Sequence, residues 1–442
     1  MKKKMLAAGG MLLLLAAAAA AAETGGKTEF TAELRERAES LENFNDKFYG
    51  TEPKLGDSSD TYLLSRLRLG LTHQFNQHLS GTISLQDSRV FGWAFDDQDW
   101  VNSEFSGMEH NPQSDPLELG ETWLQYTQGG FSAQAGRQPI SYGNNRVFGP
   151  GEWKNSGKWV WDAVKASYAC NKNWAEVFYG ETMLHEPDVF SLDHRHGYVG
   201  AGMYSHFQAT DFLAVEPIAA SKDNDESGDY AEKELYYYGA RLLLELNSFT
   251  ADGTYIQQSG EITAESGKET DSDAYGWNLD LEYRVTPQWS IGSTVSFASG
   301  DDKATPDNER FDAVYGASDK YYGLMNFMEW ANLLDYGLLL AFQPQKKLQV
   351  TAEYHQFYAD QIDDKWKSYK SGLQTDSDHY GNEIDLAVKW NLNQTWKFYA
   401  GAGIFMPGDA IEEAATAGQD FITDDTAYSA FFQVTYNFSH VL

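Results

Sequence analysis

One cysteine, Cys170, stands in the whole chain, so no disulfide forms within it, and a small buried residue beside a turn is the reading of that position. Basic residues are scarce: 33 Lys and Arg face 65 Asp and Glu. Nucleic acid needs clustered cations to neutralise phosphates and is excluded as a partner by that balance. Beyond the first 22 residues no run approaches the roughly 18 consecutive apolar residues of a spanning helix, so helices do not hold this chain in a bilayer. Metal and catalytic groupings are thin as well. Asp193-His194-Arg195-His196 offers two imidazoles without a third ligand, and Asp301, Asp302, Asp307 and Asp312 lack the spacing of a calcium loop. His185, His206 and His355 have no serine partner in view. No cofactor, no metal and no enzymatic activity are expected.

What is present begins with Lys2, Lys3 and Lys4, an apolar run from Met5 to Ala19, and alanines up to Ala22 before Glu23. A basic start, an apolar core and a small-residue end form a secretory signal, here residues 1–22 with cleavage between Ala22 and Glu23. Removing the three lysines leaves 30 bases against 65 acids, a mature charge of −35. The sequence predicts one mature domain over 23–442, its strands lying between 27 and 438.

Period-two alternation predicts eighteen strands: 27–39, 60–75, 78–91, 117–127, 130–142, 157–169, 172–184, 195–207, 210–220, 233–246, 248–260, 272–285, 288–299, 333–343, 347–359, 378–391, 395–406 and 426–438. Most are longer than the five or six residues of ordinary globular strands and suit the roughly 9 to 11 tilted residues that cross a bilayer. Connections alternate without exception between very short ones, such as Asn76-Gln77, Asn171 and Asn247, and long polar ones, up to the 33 residues of 300–332. In an antiparallel meander that sorting puts all short turns at one end and all long loops at the other. The fold class is therefore all-β, a transmembrane antiparallel β-barrel of about 18 strands with short periplasmic turns and long extracellular loops in the outer membrane of a Gram-negative bacterium. Loop 300–332 is the candidate plug, because it exceeds ordinary connections in length.

Within strands, charge keeps to one face. Leu279, Leu281, Tyr283 and Val285 oppose Asn278, Asp280, Glu282 and Arg284, and Leu67, Leu69 and Leu71 oppose Arg66 and Arg68. A charge on the lipid face costs roughly 2–4 kcal/mol at mid-bilayer, so the charged wall is the lumen and the apolar wall meets outer-membrane lipid. Tyr236-Tyr237-Tyr238, Trp159, Trp161, Trp289, Trp390 and Trp396 sit near strand ends, where amphipathic rings favour the headgroup level.

The segment Gly136 to Tyr168, GRQPISYGNNRVFGPGEWKNSGKWVWDAVKASY, resembles the signature of the alginate export outer-membrane family, carried here by Gly136, Arg137, Gln138, Tyr142, Gly143, Arg146, Trp153, Asp162 and Ala163. Ala298 to Gly323 is similar to the Gly-Asp opening of that family's longest loop, and residues 32–44 to its first strand. The resemblance implies an eighteen-stranded barrel acting as a passive conduit for an anionic polysaccharide or related small anionic solute, with periplasmic export partners. Candidate lumen residues for it are Arg35, Arg37, Arg66, Arg68, Arg89, Arg137, Lys165, Arg241 and Arg284. Guanidinium groups suit carboxylates because they offer fixed, forked donors. Two alternatives stay open: a general or cation-leaning porin, in keeping with the acidic balance, and an adhesive or structural barrel displaying its loops.

Overall fold

The computed structural model describes residues 26–43, 59–92, 113–149, 151, 153–157, 160–183, 190, 196–224, 232–263, 267–316, 320–366, 372–419 and 423–441. The signal and its cleavage point, Trp159 and the Asp193-His194-Arg195 cluster lie outside these residues.

Eighteen strands follow in chain order: β1 (Lys27–Glu42), β2 (Asp60–Gln74), β3 (Leu79–Phe91), β4 (Asp115–Gln128), β5 (Phe131–Gln138), β6 (Trp161–Cys170), β7 (Asn173–Met183), β8 (His196–Gln208), β9 (Leu213–Asn224), β10 (Glu232–Leu246), β11 (Phe249–Thr263), β12 (Glu269–Arg284), β13 (Trp289–Ala298), β14 (Leu333–Gln345), β15 (Leu348–Tyr358), β16 (His379–Asn391), β17 (Trp396–Pro407) and β18 (Ala427–Val441). Each pairs antiparallel with its sequence neighbour, and β1 also pairs with β18, from Glu29↔Val441 to Glu42↔Tyr428, so the sheet closes and has no edge. The tight turns form where the sequence supplies left-handed residues: Gly129 (φ 60°), Asn171 (φ 56°) and Asn247 (φ 51°).

The outer wall is apolar. Leu338, Val164, Leu242, Leu386 and Ile291 are exposed on it, flanked toward one rim by Tyr236, Tyr238, Tyr275 and Tyr336 and toward the other by Phe131, Tyr168, Tyr283, Trp289, Trp390 and Trp396. Two of the expected girdle residues point the other way. Tyr237 and Trp161 are buried inside, because strand alternation turns every second ring of such a run inward.

The predicted strands 130–142 and 157–169 overran the wall. β5 stops at Gln138 and β6 starts at Trp161, and the described residues between them turn into the lumen. There they meet the described part of 299–332, which also folds inward. Gly149 N–H donates to Tyr315 O (3.0 Å) and Tyr315 N–H to Val147 O (3.1 Å). Phe148, Phe311, Val314, Tyr315, Tyr322, Met325, Phe327 and Trp330 then build an apolar core inside the barrel. The described residues of 300–332 are thus part of the lumen filling and share it with the described residues after β5. Among the described residues one helix, α1 (Asp409–Thr416), lies in the connection between β17 and β18 and buries Ala410, Ile411 and Ala414. The sequence reading had assigned that stretch to loop.

Candidate conduit in the barrel lumen

On β1 and β2 the register sets Arg35 opposite Arg66 and Glu33 opposite Arg68. Leu34, Leu63 and Leu67 alternate with these residues on the outer face, so Glu33, Arg35, Arg37, Arg66 and Arg68 all face the lumen. Neighbouring guanidiniums repel and need acceptors. Glu33 supplies one, with Oε1 3.2 Å from Arg66 Nη2 and 3.6 Å from Arg68 Nη1. Arg68 Nε donates to Gln86 Oε1 at 2.6 Å. The inward-turned loop supplies the others: Arg35 Nη2 donates to Asn155 Oδ1 (3.1 Å) and Lys154 O (3.3 Å), and Arg66 Nη1 to Lys154 O (3.5 Å).

Asn155 is fully buried and holds that loop in place. Its Nδ2 donates to the carbonyls of Ser65 (3.2 Å), Arg89 (3.0 Å) and Gln113 (3.2 Å), and its N–H to Gln113 Oε1 (2.7 Å). Earlier in the same loop, Gly143 (φ 56°) makes a turn where a Cβ would press on Arg241 Nη1 and Glu216 Oε2. The turn delivers Arg146 to the far side of the lumen. There its Nη2 sits 3.2 Å from Asp280 Oδ2, its Nη1 donates to Tyr322 Oη (2.9 Å) and Ser296 Oγ (3.3 Å), and its guanidinium lies 4.0 Å over the Tyr321 ring. Of the residues that carry the resemblance, Gly143, Arg146 and Trp153 lie on the loop's path into the lumen, and Tyr142 donates to Glu176 from the same loop.

Arg241 on β10 is held by Asp252 (2.6 Å) and Glu216 (2.6 Å), and Lys165 on β6 by Glu176 (3.2 Å). The wall of β14 to β16 is acidic instead. Asp335, Glu353, Glu383 and Asp385 face inward there, with His355 Nδ1 2.9 Å from Asp335 Oδ1. Two of these acids anchor the long loop: Asp385 Oδ2 accepts Leu324 N–H (2.8 Å) and Glu383 Oε1 accepts Met325 N–H (2.7 Å). The loop is also pinned by Asp312, whose oxygens accept from Lys222 (2.6 Å) and Lys233 (2.9 Å). Burial alone would raise the Asp312 carboxyl, but the two ammonium groups outweigh it and hold the group well below the usual carboxylate range. The lumen is therefore divided, with an arginine arc on β1 and β2 and an acidic arc on β14 to β16. A cavity of about 650 Å³ opens beside the arginine arc, lined by Glu33, Arg68, Thr72, Gln86, Glu118 and Trp123 among others.

Two of the nine lumen candidates are corrected. Arg89 pairs with Asp87 (2.6 Å) on the face that carries Leu67, the outer wall, near the end of β3. Arg137 pairs with Asp162 (2.8 Å) on the face that carries exposed Val164, again the outer wall, at the end of β5. Both belong to strand ends, where the outer face has left the hydrocarbon and charge no longer marks the lumen. Arg284 does lie on the inward face but is exposed beside the short turn after β12, away from the arc. Gly136 (φ 119°) and Gln138, whose Nε2 donates to Ala163 O (2.9 Å), shape the strand end where the chain leaves the wall. Sequence reasoning missed Asn155, Lys222 and Arg310, the last held by Glu329 (2.9 Å) and Asp364 (2.7 Å), and weighed Asp312 only as a calcium ligand. Their only signal was a polar or charged residue in a long, aromatic-rich loop or on an inward face. Among the described residues no group of three His, Cys, Asp or Glu is placed to hold a metal ion.

No protein of curated function matches the chain in sequence. Among solved structures it is similar to OccAB2 of Acinetobacter baumannii (9% identity, 93% of this chain and 98% of that one, TM-score 0.61). It is also similar to OccK8 (OprE) of Pseudomonas aeruginosa (10%, 93% and 98%, 0.60) and OccAB1 of A. baumannii (11%, 93% and 96%, 0.60). At such identities the likeness is one of fold, and the fold is that of outer-membrane barrels. The family model described as Alginate export matches residues 27–424, nearly the whole closed barrel, and the chain belongs to that family as an outer-membrane channel of a Gram-negative bacterium.

Proposed function

We propose that the mature chain, residues 23–442, is a passive conduit for an anionic polysaccharide or a related small anionic solute, and that it moves its cargo without chemistry. The observation that carries this reading is the arginine arc: Arg35, Arg37, Arg66 and Arg68 converge from two adjacent strands, and Arg35 and Arg66 already bind oxygen acceptors of the inner loop. A carboxylate of the cargo would take the place of the Lys154 carbonyl and Asn155 Oδ1, since a guanidinium offers paired donors that match it. Lys165 and Arg241, each held by acids, extend the cationic lining while keeping contacts weak enough for release. Outer-membrane lipid surrounds the barrel, and any periplasmic export partner would meet its short turns. A cation-leaning porin is the second reading, favoured by the acidic arc of Asp335, Glu353, Glu383 and Asp385. Reversal potential under a salt gradient separates the two. Anion preference in the wild type, lost in Arg66→Glu/Arg68→Glu, is the expected result; cation preference unchanged by the double substitution would remove the arginines from any part in selection.

A further inference from the structure

Glu383 and Asp385 are neighbours on the inward face of β16, and both are buried, at 0% and 5% exposure. Each commits one oxygen to the long loop, Glu383 Oε1 to Met325 N–H (2.7 Å) and Asp385 Oδ2 to Leu324 N–H (2.8 Å). Gly323 (φ 78°) makes the turn that brings these N–H groups up to the strand, and a Cβ there would collide with the Glu383 carboxyl. Among the described residues no donor reaches the other two oxygens, Glu383 Oε2 and Asp385 Oδ1. The two carboxyl groups are instead hydrogen-bonding neighbours of one another. Carboxylates are acceptors only, so a hydrogen bond between two of them requires one proton held in common.

The groups packed around the pair do not supply that charge. The register sets His355 opposite Glu383 and Glu353 opposite Asp385 on β15. His355 is already engaged by Asp335 of β14, 2.9 Å from its Nδ1, and by Glu353, 3.7 Å from its Nε2. On β17, Phe405 stands opposite Glu383 and Gly403 opposite Asp385, with the Tyr399 phenol farther along the strand. The turn itself, Gly323-Leu324-Met325, brings no charged side chain. Helix α1 packs on β16 through Ala410, Ile411 and Ala414 and keeps Asp409, Glu412 and Glu413 exposed. Lys389 is exposed, four residues beyond Asp385 on the same face. Four acids, Asp335, Glu353, Glu383 and Asp385, thus surround one imidazole, and a second full charge on the buried pair has no counterion.

We propose that Glu383 and Asp385 form a proton-binding site that latches the long loop: with one proton shared between the two carboxyl groups the turn Gly323–Met325 is seated on β16, and loss of that proton to lumen water unseats it. The pair then passes from one negative charge to two, which repel each other and draw water between strand and loop. Leu324 and Met325 leave with their N–H groups, and the lumen filling opens along the wall of β15 to β17. Linkage fixes the direction. An unseated pair is wetted and ionised above about pH 5, whereas the seated pair keeps one proton. The seated state therefore binds one proton more and is lost as pH rises, by up to about tenfold in the ratio of seated to unseated loop per pH unit. Asp312, another carboxylate anchor of the same loop, is held ionised over this range and adds no pH dependence to it. The latch acts on the loop whichever solute passes, so it stands or falls apart from the conduit reading.

The test is single-channel recording in planar bilayers holding the full mature protein, at fixed salt and voltage, with both sides taken from about pH 7 to about pH 10. The wild type should rest at its basal level at neutrality and show excursions to a higher level as pH rises, their occupancy growing by up to about tenfold per unit. Glu383→Gln and Asp385→Asn each keep the oxygen that accepts the loop N–H and cannot ionise, so both should stay at the basal level throughout. His355→Gln should retain the rise. Variants of the pair that respond as the wild type does, or a wild type that does not respond to pH, overturn the latch. Loss of the response in His355→Gln also overturns it, because the imidazole would then be the titrating group. Infrared spectra of the folded wild type give a reading that needs no variant: a protonated-carboxyl C=O band at neutral pH that disappears at the alkaline end is expected, and its absence overturns the proposal. Reversal potential, which decides the conduit reading, is a separate quantity in the same recordings.

Discussion

Asn155→Ala should loosen the inner loop from the arginine arc, and its size follows from four contacts. The side-chain amide has two hydrogens, shared among the Ser65, Arg89 and Gln113 carbonyls, and one oxygen that accepts from Arg35. Two neutral hydrogen bonds contribute about 1 kcal/mol each and a bond to a charged group about 1.5–3 kcal/mol, or roughly 3.5–5 kcal/mol together. Lumen water partly replaces them in the variant, so about 3 kcal/mol is the working figure, a factor of about 150 in the ratio of seated to detached loop. A tip detached about 0.1% of the time, the low end of ordinary minor states, would be detached roughly a tenth of the time. Single-channel recording at fixed voltage should then show flicker to a higher level that the wild type lacks, with greater anion preference as Arg35 and Arg66 meet water. A folded variant, judged by heat-modifiable migration, with wild-type current noise and permeability ratio would refute the reasoning, because the loop tip would then not be held by this side chain.

Asp312→Asn removes the carboxylate that Lys222 and Lys233 share and should cost the seated long loop about 3–5 kcal/mol, read as protease sensitivity within 300–332 in the intact barrel. Because the Asp312 carboxyl is depressed below its ordinary value, its stabilisation is complete above about pH 4 and is lost only as pH falls through the lowered value; this latch should hold from pH 7 to 4 and weaken below, seen as loop proteolysis against pH. Gly143→Val places a branched side chain at φ 56° against Arg241 and Glu216, and should lower folding yield or unseat Arg146, measured as a drop in the barrel's thermal midpoint. Leu338→Arg on the lipid wall should destabilise the barrel by about 2–4 kcal/mol in a urea titration in lipid, against near neutrality for a polar change at lumen-facing Thr82. Mass measurement of the outer-membrane protein should give a chain beginning at Glu23.

The barrel was legible because two solvents act on every strand. Lipid outside and water inside force alternation in runs such as Asn278 to Val285, and no other environment sorts short and long connections so strictly. That logic weakens where the solvents change. Arg89 and Arg137 sit at strand ends beyond the hydrocarbon, where Asp87 and Asp162 make a charged outer face affordable, and period two then assigns a face without saying which one is the lumen. The loop interior was not legible for a different reason. Phe311, Tyr322, Phe327 and Trp330 pack as in a soluble core, with no period, inside a chain whose strands keep their apolar side chains outward. Helix α1 did leave a trace, with Gly408 before it, Gly418 (φ 76°) after it, and acids in its first turn, but eight residues are too few for a helical period to stand out. Among the arc residues Arg35, Arg66 and Arg68 could be read from alternation; the acceptor that Arg35 and Arg66 share, the Lys154 carbonyl, is a backbone atom and has no signature in sequence.

The two belts of outward aromatics also set a length. On β12, Tyr275 and Tyr283 both face lipid, with Leu279 and Leu281 between them. Eight residues at about 3.3 Å each, tilted about 40°, span roughly 20 Å along the membrane normal. Such a barrel is matched to a thin hydrocarbon layer, as bacterial outer membranes are. In bilayers of long-chain lipid its rim aromatics would be drawn into the acyl region, and the surrounding lipid would have to compress to meet them. Chain length of the reconstituting lipid is therefore a variable that acts on this protein from outside, through the wall, on the same strands whose inward faces hold the arginines and the inner loops in place.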